Sequence, residues 1–245
     1  MSSTAVSPGC AAGTGQMLAR GFKSSFVPDT TPIVFVLDEN ASVRESLEHL
    51  IRREGWRSAA FESADEFFSL PPVNVPNCLL LDAGAASFDA FDLQRRVAAD
   101  RLSTSIIFMA ARINVGTAVK AMKSGAVEVF KKPIPEDALV SAIREALKHS
   151  RTNLAREALR SRYSGLSRRE REVMALVTSG LLNKQVGGEL GISEITVKKH
   201  RGRVMQKMQA NSIADLVKMA EKISFQYLSG IGGFEEPHAA DVRHH

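Results

Sequence analysis

No stretch of the sequence approaches the ~18 consecutive apolar residues that a helix needs to cross a bilayer. Runs such as Ile33–Leu37 and Cys78–Leu81 have the length of buried strands, so membrane insertion is excluded. Cysteine is nearly absent too, with 2 in 245 residues. Cys78 opens an apolar run, which argues against a disulfide framework and for a reducing, cytoplasmic setting. Net positive charge is missing from the first part of the chain and concentrated in the last. Residues 1–150 carry 16 Lys and Arg against 17 Asp and Glu, a net of −1, and residues 151–245 carry 16 against 10, a net of +6. A near-neutral module joined to one suited to a polyanion is the simplest reading. A length of 245 residues, 44% of them apolar and 24% charged, fits two small globular domains.

Residues 1–31 are rich in Ser, Thr, Gly, Ala and Pro without apolar periodicity and read as a disordered extension. Arg20 and Lys23 among serines, with no acid before Asp29, bear a faint likeness to an organellar transit peptide. From Ile33 to residue 148 short apolar runs alternate with helical patterns. Strands are predicted at Ile33–Leu37, Arg57–Phe61, Cys78–Leu81, Ser105–Met109 and Val127–Phe130, and helices at Ser42–Glu54, Ala64–Leu70, Phe91–Asp100, Val115–Ser124 and from Pro135 onward. This is an α/β pattern: a five-stranded, doubly wound parallel sheet over residues 32–148. Residues 149–164 read as a helical linker in which Leu147 and Leu154, seven apart, suit pairing with a second copy. Residues 165–225 show only helical patterns, broken at Gly180, Gly191 and Ala210–Ser212, and form a small all-α domain. The tail, 226–245, reads as flexible.

In a parallel sheet the functional residues gather at the carboxyl ends of the strands. That rule brings Asp38, Glu39 and Asp82 to one edge. Three ionised carboxylates a few Å apart require a compensating cation, and a hard divalent ion with oxygen ligands, Mg²⁺ above all, suits them. Lys132, ahead of Pro133, would direct an ammonium to the same edge as a point charge for phosphate. Carboxylate, metal and lysine together make a site where one aspartate accepts a phosphoryl group.

The segments LDEN–VRESL (37–40, 43–47), LLLD (79–82) and AVKAMKSGAVEVFKKP (118–133) resemble the receiver domain of bacterial two-component response regulators. The resemblance implies that Asp82 is the phosphoacceptor, that Asp38, Glu39 and Asp82 hold Mg²⁺ with the Gly84 carbonyl, and that Lys132 contacts the phosphoryl group. It is imperfect at the switch. Ala110 stands where a Thr or Ser is usual, Val129 where a Tyr or Phe is usual, and Ala86 and Ala90 replace a Pro and a Gly. Loss of one hydrogen bond to a charged phosphoryl group is worth ~1.5–3 kcal/mol, which weakens a phosphorylation-driven shift ~10- to 150-fold. An aspartyl-nucleophile phosphatase would need a second acid two residues beyond the nucleophile, where Gly84 stands. No enzymatic activity is expected.

Downstream, Leu166–Gly180 is amphipathic, Asn183–Leu190 is a short helix, Gly191 makes a tight turn, and Ser193 can cap a helix to about Met208. Val197, Val204 and Met208 share one side of that last helix. Ile195, Lys199, Gly202, Arg203 and Gln206 face away, with Lys198 flanking. A buried seam backed by lysines suits the DNA major groove, and Arg169, Arg171 and Lys184 are placed to hold phosphates alongside. The segments LSRREREVMALVTSGLLNKQV (166–186) and LGISEITVKKH (190–200) resemble the LuxR-type four-helix DNA-binding domain. The resemblance implies a DNA surface made of Lys184, Ser193, Thr196, Lys198, Lys199 and Arg203, and a fourth helix, 212–221, that builds a dimer contact. Gly187, Gly188 and Gly202 each cost ~1 kcal/mol relative to Ala inside a helix.

The whole resembles a FixJ/NarL-type response regulator with an atypical receiver. That resemblance implies double-stranded DNA, a sensor histidine kinase and a second copy of the chain as partners, RNA polymerase as a further contact, and Asp82 phosphorylation promoting dimerisation and promoter binding. The alternative keeps DNA binding and makes the receiver a phosphorylation-independent interaction module.

Overall fold

The computed structural model describes residues 30–84, 89–101 and 103–228, with side chains to Ile223. The expectations for residues 1–29, for Ala86 and for the tail beyond 228 lie outside the described residues.

Five parallel strands, β1 (Ile33–Leu37), β2 (Arg57–Phe61), β3 (Asn77–Asp82), β4 (Thr104–Ala110) and β5 (Glu128–Lys131), form one sheet in the order β2-β1-β3-β4-β5. Between them lie α1 (Ala41–Arg53), α2 (Ala64–Ser69), α3 (Ala90–Asp100) and α4 (Val115–Lys123). The central strands carry unbroken apolar runs, Ile33–Leu37, Cys78–Leu81 and Ile106–Ala110, because both faces are covered, and their side chains alternate between two cores. Phe35, Leu37, Leu79, Leu81 and Phe108 pack with Phe61, Phe67, Leu93 and Val97 on one face. Val34, Val36, Cys78, Leu80, Ile107 and Met109 pack on the other, against Leu50 and Ile51 of α1 and Leu139, Ile143, Ala146 and Leu147 of the next helix.

Helix starts follow the local chemistry. Asn40, Ser63, Asp89 and Asn114 each accept a backbone N–H in the first turn of α1, α2, α3 and α4. Gly55, in the left-handed region at φ 80°, follows the C-cap of α1. Helix α4 is attached sparingly. Of its side chains only Ala121 is buried, while Val115, Val119 and Met122 are 81%, 45% and 46% exposed.

The fifth helix takes in the expected linker: α5 runs unbroken from Glu136 to Ser164, with no structural break at residue 148. The Ser150 hydroxyl, fully buried, accepts the Asn77 N–H at 2.8 Å and holds α5 against the start of β3. The pairing expected of Leu147 and Leu154 is corrected here, because Leu147 is spent in the sheet's second core. Leu159, five residues before the end of α5, packs instead into the C-terminal domain.

That domain comprises α6 (Arg168–Thr178), α7 (Asn183–Leu190), α8 (Glu194–Met208) and α9 (Ile213–Leu228). Leu159, Leu166, Met174, Val204, Met208, Leu216 and Ile223 form one core cluster, and Val173, Val177, Val186 and Val197 a second, with Ile213 packed against both.

Candidate functional site

Strand register assembles the acidic site. Leu37 pairs with Leu81 across β1 and β3, which places Asp38 beside Asp82 at the carboxyl edge. Ala110 pairs with Lys131, and the Lys132 N–H donates to the Ala110 carbonyl at 2.8 Å, which brings Lys132 to the same edge. The Lys132–Pro133 peptide is cis. Lys132 Nζ lies 2.7 Å from Asp38 Oδ2 and 3.2 Å from Asp82 Oδ2. The remaining Asp38 oxygen accepts the Asn40 N–H at 2.9 Å, and Asp82 Oδ1 accepts the Gly84 N–H at 3.2 Å. Asp38 is almost solvent-free, whereas the Asp82 side chain keeps 17% of its exposure. An incoming group therefore meets Asp82 first.

The third carboxylate is not brought in. Glu39 is exposed, and among the described residues no three His, Cys, Asp or Glu side chains converge on one point. The oxygen-only donor set of Asp38 and Asp82 still fits a hard divalent cation in kind. In the structure the Lys132 ammonium offsets one of the two carboxylate charges.

The switch positions hold no polar group. Ala110 is buried at the end of β4, and Val129 is half-buried against the first core. Two anchors escaped sequence reasoning. Arg44 Nη1 donates to the Asp38 and Glu39 carbonyls at 2.7 and 2.9 Å and so fixes the loop that carries the acids. Gln94 Nε2, buried on α3, donates to the Ala121 and Ser124 carbonyls at 3.3 and 3.0 Å and ties down the end of α4. The Gln94 pairing is long-range, and the Arg44 pairing reaches back across the turn before α1.

The second site lies on α7 and α8. Gly191, at φ 63°, turns the chain between them, and the Ser193 hydroxyl caps α8 by accepting the Thr196 N–H at 3.2 Å. The Ser193 and Thr196 hydroxyls also bond each other at 2.8 Å. Val197, Val204 and Met208 are buried, so the opposite side of α8 faces outward. Lys184, Lys198, Lys199 and Arg203 are all exposed, with Lys198 paired to Glu194 at 3.0 Å. Arg169 and Arg171, expected beside DNA phosphates, serve the fold. Arg169 pairs with Glu172 at 2.8 Å and donates to the Leu190 carbonyl at 3.0 Å. Arg171 donates to the Ser164 carbonyl at 3.2 Å and lies over the Tyr163 ring. His200 is half-buried, and its Nδ1 makes no hydrogen bond to the protein.

Of the three costly glycines, one is required. A Cβ on Gly187 would stand 2.7 Å from the Ile192 carbonyl oxygen, too close to accommodate against backbone. The absent side chain lets α7 approach the turn, and the Ile192 N–H donates to the Gly187 carbonyl at 3.0 Å. Gly188 and Gly202 have open space where a Cβ would be.

An acidic pocket closed by a lysine at the edge of a doubly wound sheet, followed by a basic helix-turn-helix, has the make-up of a two-module regulator, and comparison with known proteins follows the same division. Residues 34–144 match the family model of the response regulator receiver domain, and residues 164–220 that of bacterial regulatory proteins of the luxR family. The chain belongs to the response regulators that join these two domains, the transcription regulators of two-component systems. It is 39% identical over 216 residues to Nodulation protein W of Bradyrhizobium diazoefficiens, covering 86% of this chain and 94% of that protein. Response regulator protein TodT of Pseudomonas putida is 39% identical over 199 residues, covering 80% of this chain and 88% of TodT. The solved structure of the response regulator StyR superposes with a TM-score of 0.61 at 39% identity, covering 78% of this chain and 99% of StyR.

Proposed function

We propose that this regulator accepts a phosphoryl group on Asp82, from a histidine kinase or a small phosphodonor, and that phosphorylation favours a dimer that binds promoter DNA. The reading rests on one observation above the others: a single ammonium, Lys132 Nζ, touches both Asp38 and Asp82 at the carboxyl ends of adjacent strands. An Asp82 oxygen attacks phosphorus as the donor's leaving group departs, and the Lys132 ammonium offsets charge on the phosphoryl oxygens. When bound at Asp38 and Asp82, Mg²⁺ supplies further neutralisation of those oxygens. The Gly84 carbonyl and Glu39 complete the proposed metal site. Intact mass after incubation with acetyl phosphate and Mg²⁺ tests the acceptor. One added phosphoryl group is expected on the wild type and none on Asp82→Asn; no addition to a folded wild type would end the proposal.

The dimer surface we favour is α4 and the end of the sheet beside it, because Val115, Val119 and Met122 lie along one exposed side of that helix. The buried Ala110 and the aliphatic Val129 support a second reading, in which the receiver assembles without phosphorylation.

For DNA, Lys184, Ser193, Thr196, Lys198, Lys199 and Arg203 form the proposed surface, with α8 in the major groove. Lys184→Ala is expected to weaken binding about equally for all duplexes and to reduce the slope of log K against log [salt] by about 0.9, as for one lost phosphate contact. A slope equal to the wild type's would take Lys184 out of the interface. Contact with RNA polymerase from the bound dimer completes the proposal.

A further inference from the structure

We propose that Ile195 reads sequence, packing against the C5-methyl group of a thymine in the major groove. The inference rests on α8 lying in that groove and names what one side chain does there. Buried Val197, Val204 and Met208 fix the inward direction of α8. At about 100° per residue the opposite direction is shared by Ile195, Lys199, Gly202 and Gln206. Ile195 is 79% exposed, one of the two most exposed large apolar side chains among the described residues.

Its neighbours in the first turn have tasks. The Ser193 hydroxyl caps the helix, the Thr196 hydroxyl bonds to Ser193, and Glu194 pairs with Lys198. Ile195 has none, neither in a core cluster nor in the cap. Nothing local favours it there, since a β-branched residue is a mediocre helix former and its exposure to water contributes no stability. The edges of base pairs in the major groove are hydrogen-bonding groups except at thymine, whose methyl is the apolar feature on offer. Isoleucine suits that contact because its χ1 is stiff, so little rotamer freedom is lost on docking. Two turns along the same line, Gly202 has nothing within 4 Å of its missing Cβ. The backbone is therefore free to approach the groove between Lys199 and Gln206, which brings the first turn of α8 to base-edge depth.

The test begins with the full-length protein selecting from a random-sequence duplex pool. The enriched sites are expected to hold a fixed thymine. Replacing that thymine by deoxyuridine, which deletes only the methyl group, is expected to weaken wild-type binding about fourfold. Ile195→Ala, a better helix former, is expected to keep the fold by circular dichroism and to bind the thymine and deoxyuridine duplexes equally. Ile195→Val is expected to keep part of the discrimination. Wild-type binding that is indifferent to deoxyuridine at every enriched thymine would overturn the inference while leaving DNA recognition by α8 intact. Discrimination that persists undiminished in Ile195→Ala would overturn it as well. A pool with no enriched sequence would instead refute the placement of α8 in the groove, and the inference with it.

Discussion

Exchanging Ala110 for threonine is expected to deepen the response of this protein to phosphorylation by about ten- to 150-fold. Ala110 is buried at the carboxyl end of β4, one residue beyond Met109, the register partner of Asp82. Its carbonyl is already used by the Lys132 N–H, so only its side chain is available to respond to a new group on Asp82, and that side chain is a methyl. A hydroxyl here can donate to a phosphoryl oxygen in the phosphorylated state and has no such acceptor in the other. A bond that exists in one state only shifts the equilibrium by its full worth, ~1.5–3 kcal/mol for a charged acceptor. At ~1.4 kcal/mol per decade this gives the stated range. The quantity to measure is the ratio of dimerisation constants with and without acetyl phosphate and Mg²⁺, by sedimentation. A ratio in Ala110→Thr equal to that of the wild type would show that the missing hydroxyl does not limit the switch.

Acid is expected to loosen the C-terminal domain through Glu170. This carboxylate is 3% exposed. Lys207 Nζ donates to it at 2.7 Å, and the Ser167 N–H donates at 2.8 Å in a capping box that starts α6. The Lys207 ammonium, seconded by the Ser167 amide, lowers its pKa from the usual 4.5 to about 2. A carboxylate depressed in the folded state contributes stability that is whole above the unfolded pKa of 4.5 and is lost as pH falls toward 2. Because the Lys207 side chain is 43% exposed, solvent screens the pair, and its worth is about 2 kcal/mol. Lys207→Met is expected to remove most of that at neutral pH. Hydrogen exchange of the α8 amides would show it as faster exchange in the variant, with the gap to wild type constant from about pH 7 to 5 and closing between about 4.5 and 2. A gap that stays open at the acid end, or is missing at pH 7, would place the stability elsewhere.

Much of the architecture was legible because the signals are local. Both faces of the sheet are covered, so β1, β3 and β4 carry the apolar runs Ile33–Leu37, Cys78–Leu81 and Ile106–Ala110, and Ser193 announces the helix it caps. The acidic pocket was legible for the same reason. Asp38 follows β1, Asp82 ends β3 and Lys132 follows β5, and a parallel sheet puts such ends on one edge. What failed required knowing which way a side chain points or what lies across space. Glu39 sits next to Asp38 in sequence, yet Asp38 is buried and Glu39 is exposed. Leu147 matches Leu154 in spacing but faces the sheet. Gly187 looked like a cost to its helix, and only the approach of Ile192 shows that the position excludes a side chain. Arg169 and Arg171 were read by charge alone, and the sequence did not show that they also bond to Glu172 and to the Leu190 and Ser164 carbonyls.

The central claim, that a phosphoryl group on Asp82 drives assembly of the DNA-binding form, is tested most directly by sedimentation equilibrium of the full-length protein. Three samples suffice: wild type alone, wild type with acetyl phosphate and Mg²⁺, and Asp82→Asn with the same additions. The account predicts a larger dimer fraction in the second sample only. The same mass distribution in all three, with the phosphoryl group verified on wild type by mass, would contradict it.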